Sequence, residues 1–249
     1  MTTVLKLGGS LLTRKDEHER IDEAGLSSAA AAIGDATVDE LVLVHGAGSF
    51  GHVHADAHGV SVEAGTSDAA AVREIHASMG RLNRRVLAAL AEKGVEAIPV
   101  RPLSASYRDA EGTLWHATDQ VAAMLAEGFV PVLHGDVITT REKGATILSG
   151  DELVVTLARS LHADAVGLCA GVPGVLDEND SVIAEIERYD DVAAVLGGAA
   201  ETDVTGGMAG KVRALLELSI PARIFDLDGL PAFLSGGEPG TLVRGSGSA

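Results

Sequence analysis

The sequence predicts an α/β fold built on an open, mainly parallel sheet. Short apolar runs rich in β-branched residues alternate along the chain with segments of helical period, which is the pattern of βαβ units. Such runs are typical of strands that helices cover on both faces. Several of them end in glycine-rich loops, and the ligands of open α/β sheets bind at the carboxyl ends of the strands. A binding site is therefore expected where these loops meet.

The first half of the chain contains four predicted strands and three predicted helices. The strands are predicted at residues 3–7, 41–44, 97–100 and 130–133. An alanine-rich helix is predicted at 26–34, a long amphipathic helix from Ser67-Asp68 to Gly94, and a third helix at 118–128. Most apolar residues of the long helix are expected in the core, but Ile75 and Met79 are placed to line a pocket.

The second half continues the same alternation. Residues 144–149 are predicted to form a hairpin edge, after which Gly150-Asp151 opens a helix at 152–161. Strands are predicted at 165–168 and 223–227, helices at 190–196 and 212–218, and a turn-rich tail at 236–249. Because no repeat or linker interrupts the pattern, a single domain over residues 1–249 is expected.

The charge of the chain excludes some classes of partner. The 249 residues carry 36 acidic and 19 basic side chains, a net charge of -17, while the hydrophobic content of 46% supports a large core. A broad basic surface for nucleic acid or an anionic membrane is therefore not expected. Any site for phosphate groups must be local.

The same composition predicts adaptation to a salt-rich cytoplasm. Only five lysines occur, and acidic side chains keep a protein hydrated while salt screens their repulsion. We expect the chain to unfold in low salt and its melting temperature to rise with potassium chloride. Thermal melts over a salt series would test this, and a melting temperature independent of salt would contradict it.

The cysteine count and the hydropathy pattern favour a cytoplasmic protein. Cys169 is the sole cysteine, so no internal disulfide can form. The first nine residues do not resemble a signal peptide, and no apolar run reaches the length of a membrane span.

The loop after residue 44 allows three functional interpretations. Gly46, Gly48 and Gly51 have the spacing of a dinucleotide-binding loop, but residues 52–59 are polar and show no apolar stripe, so the helix that such a loop requires is not expected. His52, His54 and His58 could instead bind a metal ion. In the third interpretation the glycines cradle a substrate phosphate and one histidine adds charge. A glycine-rich turn with exposed histidines is the non-functional alternative.

Two further glycine-rich loops favour phosphate chemistry. Lys6 lies inside the first strand and should face an anion or a carboxylate, and Gly8, Gly9 and Ser10 follow it. Late in the chain, Gly206, Gly207 and Lys211 lead into a helix, although the spacing is not that of a Walker loop. Asp151 could hold nearby lysines. Three such loops at strand ends predict phosphoryl transfer between two phosphorylated molecules.

Five segments of the sequence carry a resemblance to a known family. KLGGS, VHGAGSFGH, HGDV, SGDELV and DVTGGMAGKV occur in the order and approximate spacing of the amino acid kinase superfamily. The histidine of GSFGH more narrowly resembles the isopentenyl phosphate kinase group. The resemblance covers nearly the whole chain. It implies a three-layer α/β/α sandwich around a mainly parallel open sheet, with a substrate-side lobe at about 1–150 and a nucleotide-side lobe at about 151–249.

The resemblance also implies an activity. The expected reaction is transfer of phosphate from ATP, with Mg²⁺, to isopentenyl phosphate, giving isopentenyl diphosphate in an alternative mevalonate route to isoprenoids. The substrate phosphate itself attacks, so no nucleophilic side chain is needed. A homodimer is expected by analogy only.

By the same resemblance, matching residues receive roles. Lys6 would stabilise the transferring phosphoryl group, Lys15 would neutralise charge, and Asp151 would orient the lysines. His52 would bind the substrate phosphate. Lys211 also counts among the catalytic residues. Residues assigned to ATP are Lys6, Gly8, Gly9, Ser10, Gly48, Gly206, Gly207 and Lys211. Those assigned to the substrate side are Gly46, Ala47 and Gly135, with backbone groups around Gly48 also near the substrate phosphate.

One segment departs from the family pattern. Residues 169–177 read CAGVPGVLD and lack two carboxylates that relatives carry near the nucleotide. Three alternatives to the expected activity follow: another small-molecule kinase of the superfamily, such as a fosfomycin-type kinase, a metal-dependent hydrolase that uses the histidines, and a non-catalytic nucleotide-binding regulator.

Overall fold

The computed structural model describes residues 1–196 and 207–245. The strands within these ranges are β1 (Thr2–Leu7), β2 (Glu40–His45), β3 (Ala97–Pro99), β4 (Ser106–Arg108), β5 (Leu114–His116), β6 (Val130–His134), β7 (Asp136–Thr140), β8 (Gly144–Leu148), β9 (Ala165–Cys169), β10 (Glu185–Ile186), β11 (Ala222–Phe225) and β12 (Thr241–Val243). The helices are α1 (Gly9–Leu12), α2 (Glu23–Gly34), α3 (Gly48–Ala57), α4 (Ala69–Ala91), α5 (Pro102–Ala105), α6 (Thr118–Ala126), α7 (Gly150–Ser160), α8 (Ala193–Leu196), α9 (Gly207–Leu216) and α10 (Leu230–Leu234), with a 3₁₀ turn at Tyr189–Asp191.

The main sheet has eight strands in the order β10-β12-β11-β9-β1-β2-β6-β3. Every neighbouring pair is parallel except β11 and β12. The central strands β1 and β2 are almost wholly buried, which explains their continuous apolar sequences. The predicted mainly parallel open sheet is confirmed.

Helices cover both faces of this sheet. Successive side chains of a strand point to opposite faces, so Val4 packs in one apolar cluster and Leu5 in another. Leu153 of α7 lies in the cluster of Val4, whereas Leu26 of α2 and Leu82 of α4 lie in the cluster of Leu5. The arrangement is the predicted three-layer α/β/α sandwich.

A second sheet of four strands has the order β5-β4-β7-β8. Its β7–β8 hairpin is antiparallel, and β8 lies at the edge as predicted. Patterns in the sequence did not predict β4, β5 or β7, because strands of three to five residues carry too little periodicity.

Two predictions for individual segments were wrong. Residues 52–57 belong to helix α3, although they show no apolar stripe. The buried face of α3 combines a single large apolar residue, Phe50, with small and polar residues, and its buried His54 is hydrogen-bonded to glutamates from other segments. The tail predicted as turns contains β12, which pairs with β11 and buries Thr241 and Val243.

The other predicted elements occur with shifted ends. The largest shift is in the helix predicted at 212–218, which begins at Gly207 within the described residues. Across the described ranges, none of the helices combines the length and apolar character that a membrane span requires. The division into two lobes stays a prediction.

Candidate active site

A cleft of about 470 Å³ lies at the carboxyl ends of β1, β2 and β6. It is bordered by the loops that lead into α1 and α3 and by the first turn of α7. Most of the predicted site residues line it, namely Lys6, Gly8, Gly9, Ser10, Lys15, Gly46, Ala47, Gly48, His52, Gly135, Asp151 and Lys211. The structure therefore brings together residues that are far apart in the sequence.

Glycines allow two of the loops to touch through their backbones. A Cβ atom on Gly9 would lie 2.3 Å from the nitrogen of Gly48, and one on Gly46 would lie 2.5 Å from the nitrogen of Gly9. Gly48 also has a φ of +50°, a conformation that side chains disfavour. Ala47 between them has a φ of -79°, so its side chain causes no backbone strain.

Three of the predicted glycines donate their N–H groups to the sheet. Gly8 donates to the carbonyl of Cys169 at 2.8 Å, Gly46 to that of Leu7 at 2.9 Å, and Gly135 to that of His45 at 3.1 Å. These glycines therefore shape the cleft rather than supply it with N–H donors.

Other N–H groups are oriented by the helix ends. The first two N–H groups of a helix have no carbonyl partner within the helix, and they favour anions. In α7 these groups belong to Gly150 and Asp151, and in α3 the first belongs to Gly48. The second N–H of α3, from Ser49, instead donates to Thr13 Oγ1 at 3.0 Å. Thr13 thus ties α3 to α1, a contact that sequence patterns did not reveal.

Lys6 and Asp151 form a buried ion pair in the cleft. Lys6 Nζ lies 2.6 Å from Asp151 Oδ1, and both side chains are less than a tenth exposed. Asp151 occupies the first turn of α7, whose N-cap is Ser149. A Cβ atom on Gly150 would lie 3.1 Å from Lys6 Cε, so the small residue makes room for the lysine stem. The predicted orientation of Lys6 by Asp151 has a geometric basis here.

The other two predicted lysines approach the cleft from different segments. Lys15 is exposed and lies in the turn between α1 and α2. Lys211 lies in the second turn of α9 and donates to the carbonyl of Gly207 at 3.0 Å. Gly207 begins that helix and is buried. The prediction for Gly206 lies outside the described residues.

The elements around His52 give the cleft an apolar wall. His52 lies on α3, and its neighbour Val53 also lines the cleft. Ile75 and Met79 of α4 line it as the sequence predicted. The full set of apolar side chains from α3, α4 and β8 in the lining is Val53, Ala55, Ile75, Met79, Ile147 and Leu148. The lysines approach from other elements, so one cleft combines lysine side chains with an apolar wall.

The side chains of His52, His54 and His58 have different surroundings and do not form one metal-binding group. His54 is buried between Glu19, at 2.7 Å from Nε2, and Glu74, at 2.8 Å from Nδ1. His58 contacts the other oxygen of Glu74 at 2.9 Å, whereas His52 lines the cleft. Among the described residues, the one group with metal-ligand spacing is His18, Glu19 and His54.

That group is better explained as an ion-pair network. Arg81 donates through Nε to Glu19 Oε2 at 2.8 Å and also contacts Oε1, and Ser78 donates to Oε1 at 2.9 Å. These donors lower the pKa of Glu19 to about 2, with the hydrogen bond from Arg81 as the largest cause. A metal ion at Oε1 would have to displace them. Glu19 instead fastens the segment that carries Lys15 to α3 and α4.

Glu19 should make stability depend on pH. Because its folded pKa of about 2 is below the ordinary value of 4.5, its contribution is present above pH 4.5 and is lost as pH falls towards 2. We expect Glu19→Gln to lower the free energy of unfolding by about 2 kcal/mol at neutral pH, after allowance for partial exposure. Denaturant unfolding of both proteins at several pH values would show a gap that narrows below pH 4.5. A gap of constant size would contradict the assignment.

Asp136 lines the cleft, and sequence reasoning assigned no role to it. Its buried carboxylate accepts from His76 Nδ1 at 2.7 Å, and from the N–H of Val137 at 2.8 Å. Burial raises the pKa of Asp136, which these two hydrogen bonds partly offset. The segment His134-Gly135-Asp136 was visible as a polar strand end, but the partner on α4 was not.

Comparisons with known proteins agree with this geometry. A model of the amino acid kinase family matches residues 1–226. The chain is 58% identical to the isopentenyl phosphate kinase of Haloferax volcanii over 243 residues, which are 97% of this chain and 98% of that protein. It is 36% identical to the isopentenyl phosphate kinase of Methanothermobacter thermautotrophicus over 230 residues, 87% of this chain and 86% of that protein. A crystal structure of isopentenyl phosphate kinase superposes with a TM-score of 0.85 at 28% identity, covering 98% of this chain and 100% of that one.

Proposed function

The chain belongs to the amino acid kinase family and, within it, to the isopentenyl phosphate kinases, and from this membership we propose how its cleft works. The reaction joins ATP and isopentenyl phosphate to give ADP and isopentenyl diphosphate. The observation that carries the proposal is a single cleft that combines Lys6, Lys15 and Lys211 with His52 and an apolar wall. Such a cleft suits the phosphates of ATP, the phosphate of the substrate and one short hydrocarbon tail.

The phosphates of ATP would bind on the side of β1, α7 and α9. Gly9, Ser10 and Lys211 line that part of the cleft, and Gly150 and Asp151 contribute the first N–H groups of α7. The positive end of the α7 dipole adds to the lysine charge. The local positive potential can therefore hold a polyanion although the chain carries a net charge of -17.

The substrate phosphate would bind at the start of α3. Gly48 supplies the first N–H of that helix, Ala47 precedes it, and His52 lies one turn further along. The tail would then lie against Val53, Ile75 and other apolar residues of the lining. Burial of the tail contributes roughly 0.8 kcal/mol for each CH₂ group.

Transfer requires alignment and charge neutralisation rather than a nucleophilic side chain. An oxygen of the substrate phosphate attacks the γ-phosphorus, and the bond to the β-phosphate oxygen breaks, leaving ADP. Lys6 would contact the transferring phosphoryl group, since Asp151 holds its Nζ in the cleft between the loops that lead into α1 and α3. Lys15, in the turn between α1 and α2, would neutralise phosphate charge in the transition state.

The carboxylates of the cleft are consistent with Mg²⁺ that enters bound to ATP. Asp56, Asp136 and Asp151 line the cleft, but Asp136 and Asp151 already pair with His76 and Lys6. Mg²⁺ often binds through substrate phosphates with few protein ligands. Ser10 would contribute a protein oxygen from the cleft lining, and the ion would neutralise phosphate charge.

The segment at 169–177, which departs from the family pattern, would make few contacts with the nucleotide. Asp177 accepts hydrogen bonds from the N–H groups of Asn179 and Ser181, at 2.8 and 2.9 Å, which lower its pKa and close a turn. Ala170 is the part of this segment that lines the cleft. Adenosine would then be held by residues 207–211 and neighbouring parts of the nucleotide-side lobe. A cytoplasmic homodimer completes the proposal, by analogy with the family.

The test is ADP release by the purified protein at high potassium chloride with Mg-ATP. Parallel reactions contain isopentenyl phosphate, fosfomycin or no acceptor. Release with isopentenyl phosphate alone is the expected result, and the isopentenyl diphosphate formed would be identified by mass spectrometry. Transfer to fosfomycin alone would favour a different kinase of the family, while tight ATP binding without any transfer would favour a regulator.

A further inference from the structure

Two buried histidines lie side by side beneath the cleft. His45 ends β2 and His134 ends β6, and the two residues are paired in the sheet register. Their rings stack with centroids 5.2 Å apart, and each side chain is almost completely inaccessible. Each histidine is followed by a glycine of the cleft lining, Gly46 or Gly135. The chain thus uses the same His-Gly pair on two neighbouring strands.

Each ring contacts the carbonyl of the glycine that follows it. His45 Nδ1 lies 3.1 Å from the oxygen of Gly46, and His134 Nδ1 lies 3.0 Å from that of Gly135. A carbonyl oxygen can only accept, so Nδ1 must carry the proton in both rings. Burial lowers the pKa of both histidines, that of His134 to about 3, so both rings are neutral.

The second ring nitrogen of His45 is held from α4. Nε2 lies 3.2 Å from Asn83 Oδ1. In the neutral ring with the proton on Nδ1, Nε2 is an acceptor and needs a donor. A half-turn of the Asn83 amide exchanges its oxygen and its NH₂ group, and the NH₂ group then donates to Nε2. The ring is therefore held at both nitrogens, which fixes the direction of the Nδ1–H bond.

We propose that His45 is a positioning residue that turns the N–H of Ala47 towards the phosphate of the substrate. This inference rests on the proposed function. A peptide group is planar, and its C=O and N–H bonds point in opposite directions. When His45 holds the Gly46 carbonyl on the buried side, the N–H of Ala47 faces away from it, at the start of α3. Without that hydrogen bond the flexible Gly46 could turn its carbonyl oxygen towards the phosphate, which would repel it.

The test compares two amide replacements of His45. Asparagine places its NH₂ group near the position of Nδ1, whereas the longer glutamine places it near that of Nε2. We expect His45→Gln to raise the KM for isopentenyl phosphate about tenfold, as for the loss of one hydrogen bond, with the KM for ATP within about twofold. His45→Asn should stay within about threefold of the unaltered protein for both substrates. Calorimetric binding of isopentenyl phosphate should follow the same order.

A third variant removes the proposed donor, the backbone N–H of Ala47. Ala47 has a φ of -79°, close to the value that proline requires, so Ala47→Pro deletes the N–H with this dihedral angle preserved. It should raise the KM for isopentenyl phosphate at least as much as His45→Gln, while ATP binding and the melting temperature confirm that the variant is folded. This variant keeps the test decisive if His45→Gln does not fold.

Two outcomes would overturn the proposal while the proposed function stands. In one, the asparagine and glutamine variants have equal KM values for isopentenyl phosphate. In the other, the KM values for both substrates rise together, as a purely structural role would produce. If the unaltered protein neither bound nor phosphorylated isopentenyl phosphate, the proposed function would fail, and this proposal would fail with it.

Discussion

Replacing Lys6 by methionine is expected to lower kcat by roughly 10²–10³-fold, the usual cost of removing one group that stabilises developing charge. Lys6 Nζ is fixed by Asp151 at 2.6 Å, in a cleft formed by three phosphate-suited loops. Its contact should strengthen as charge moves to the transferring phosphoryl group, so the dissociation constant of ATP should change much less than kcat. Single-turnover kinetics and calorimetric ATP binding would measure the two effects separately.

The same substitution leaves Asp151 buried without its cation, which can destabilise a protein by about 3–5 kcal/mol. The double variant Lys6→Met, Asp151→Asn removes both charges and should regain stability without regaining activity. Lys143→Met is a matched control, because Lys143 is an exposed lysine that contacts the carbonyl of Glu63 outside the cleft. Equal losses in ATP binding and kcat would argue against the proposed role of Lys6.

Replacing His52 by alanine is expected to lower kcat/KM for isopentenyl phosphate by about 1.5–3 kcal/mol, or about 10–150-fold, as for a hydrogen bond to a charged group. His52 lies in the cleft one turn into α3, where the N–H of Gly48 and the helix dipole also favour an anion. Saturation curves with each substrate varied in turn would show the loss on the isopentenyl phosphate side.

His58→Ala is the matched control for this variant. His58 follows at the end of the same helix, but its ring contacts Glu74 and does not line the cleft. The control should keep kcat/KM within about twofold of the unaltered protein, because surface substitutions away from a site have small effects. Indistinguishable kinetics for the two variants would remove His52 from the substrate site.

The contrast between net charge and local charge has a practical consequence for these assays. Electrostatic contacts within the cleft, made by its lysines, its ion pairs and the N-terminus of α7, have a range of a few ångströms. The net charge of -17 acts over longer distances. Salt screens the long-range repulsion of anionic substrates more than it weakens the buried contacts. Activity should therefore be compared among variants at one fixed salt concentration.

The sequence alone determined the central strands and the identity of most cleft residues. β1 and β2 could be predicted because strands covered on both faces have continuous apolar sequences, and the helix at 69–91 because its apolar residues recur with helical period. A lysine within an apolar strand is costly to bury, so Lys6 had to face an anion or a carboxylate. The family resemblance then supplied the roles that remain to be tested.

The tertiary structure alone decided which groups those residues contact. Helix α3 has no apolar stripe, because Phe50 is the single large apolar residue on its buried face. The polar groups of that face are hydrogen-bonded by Thr13 and Glu19, which are distant in the sequence. The structure also decided how three cleft glycines use their N–H groups. These groups donate to carbonyls at the ends of sheet strands and so are not available to a ligand, which applies to Gly8, Gly46 and Gly135. A single sequence reports local period and the cost of burial, but hydrogen-bond partners far along the chain are set by how the elements pack.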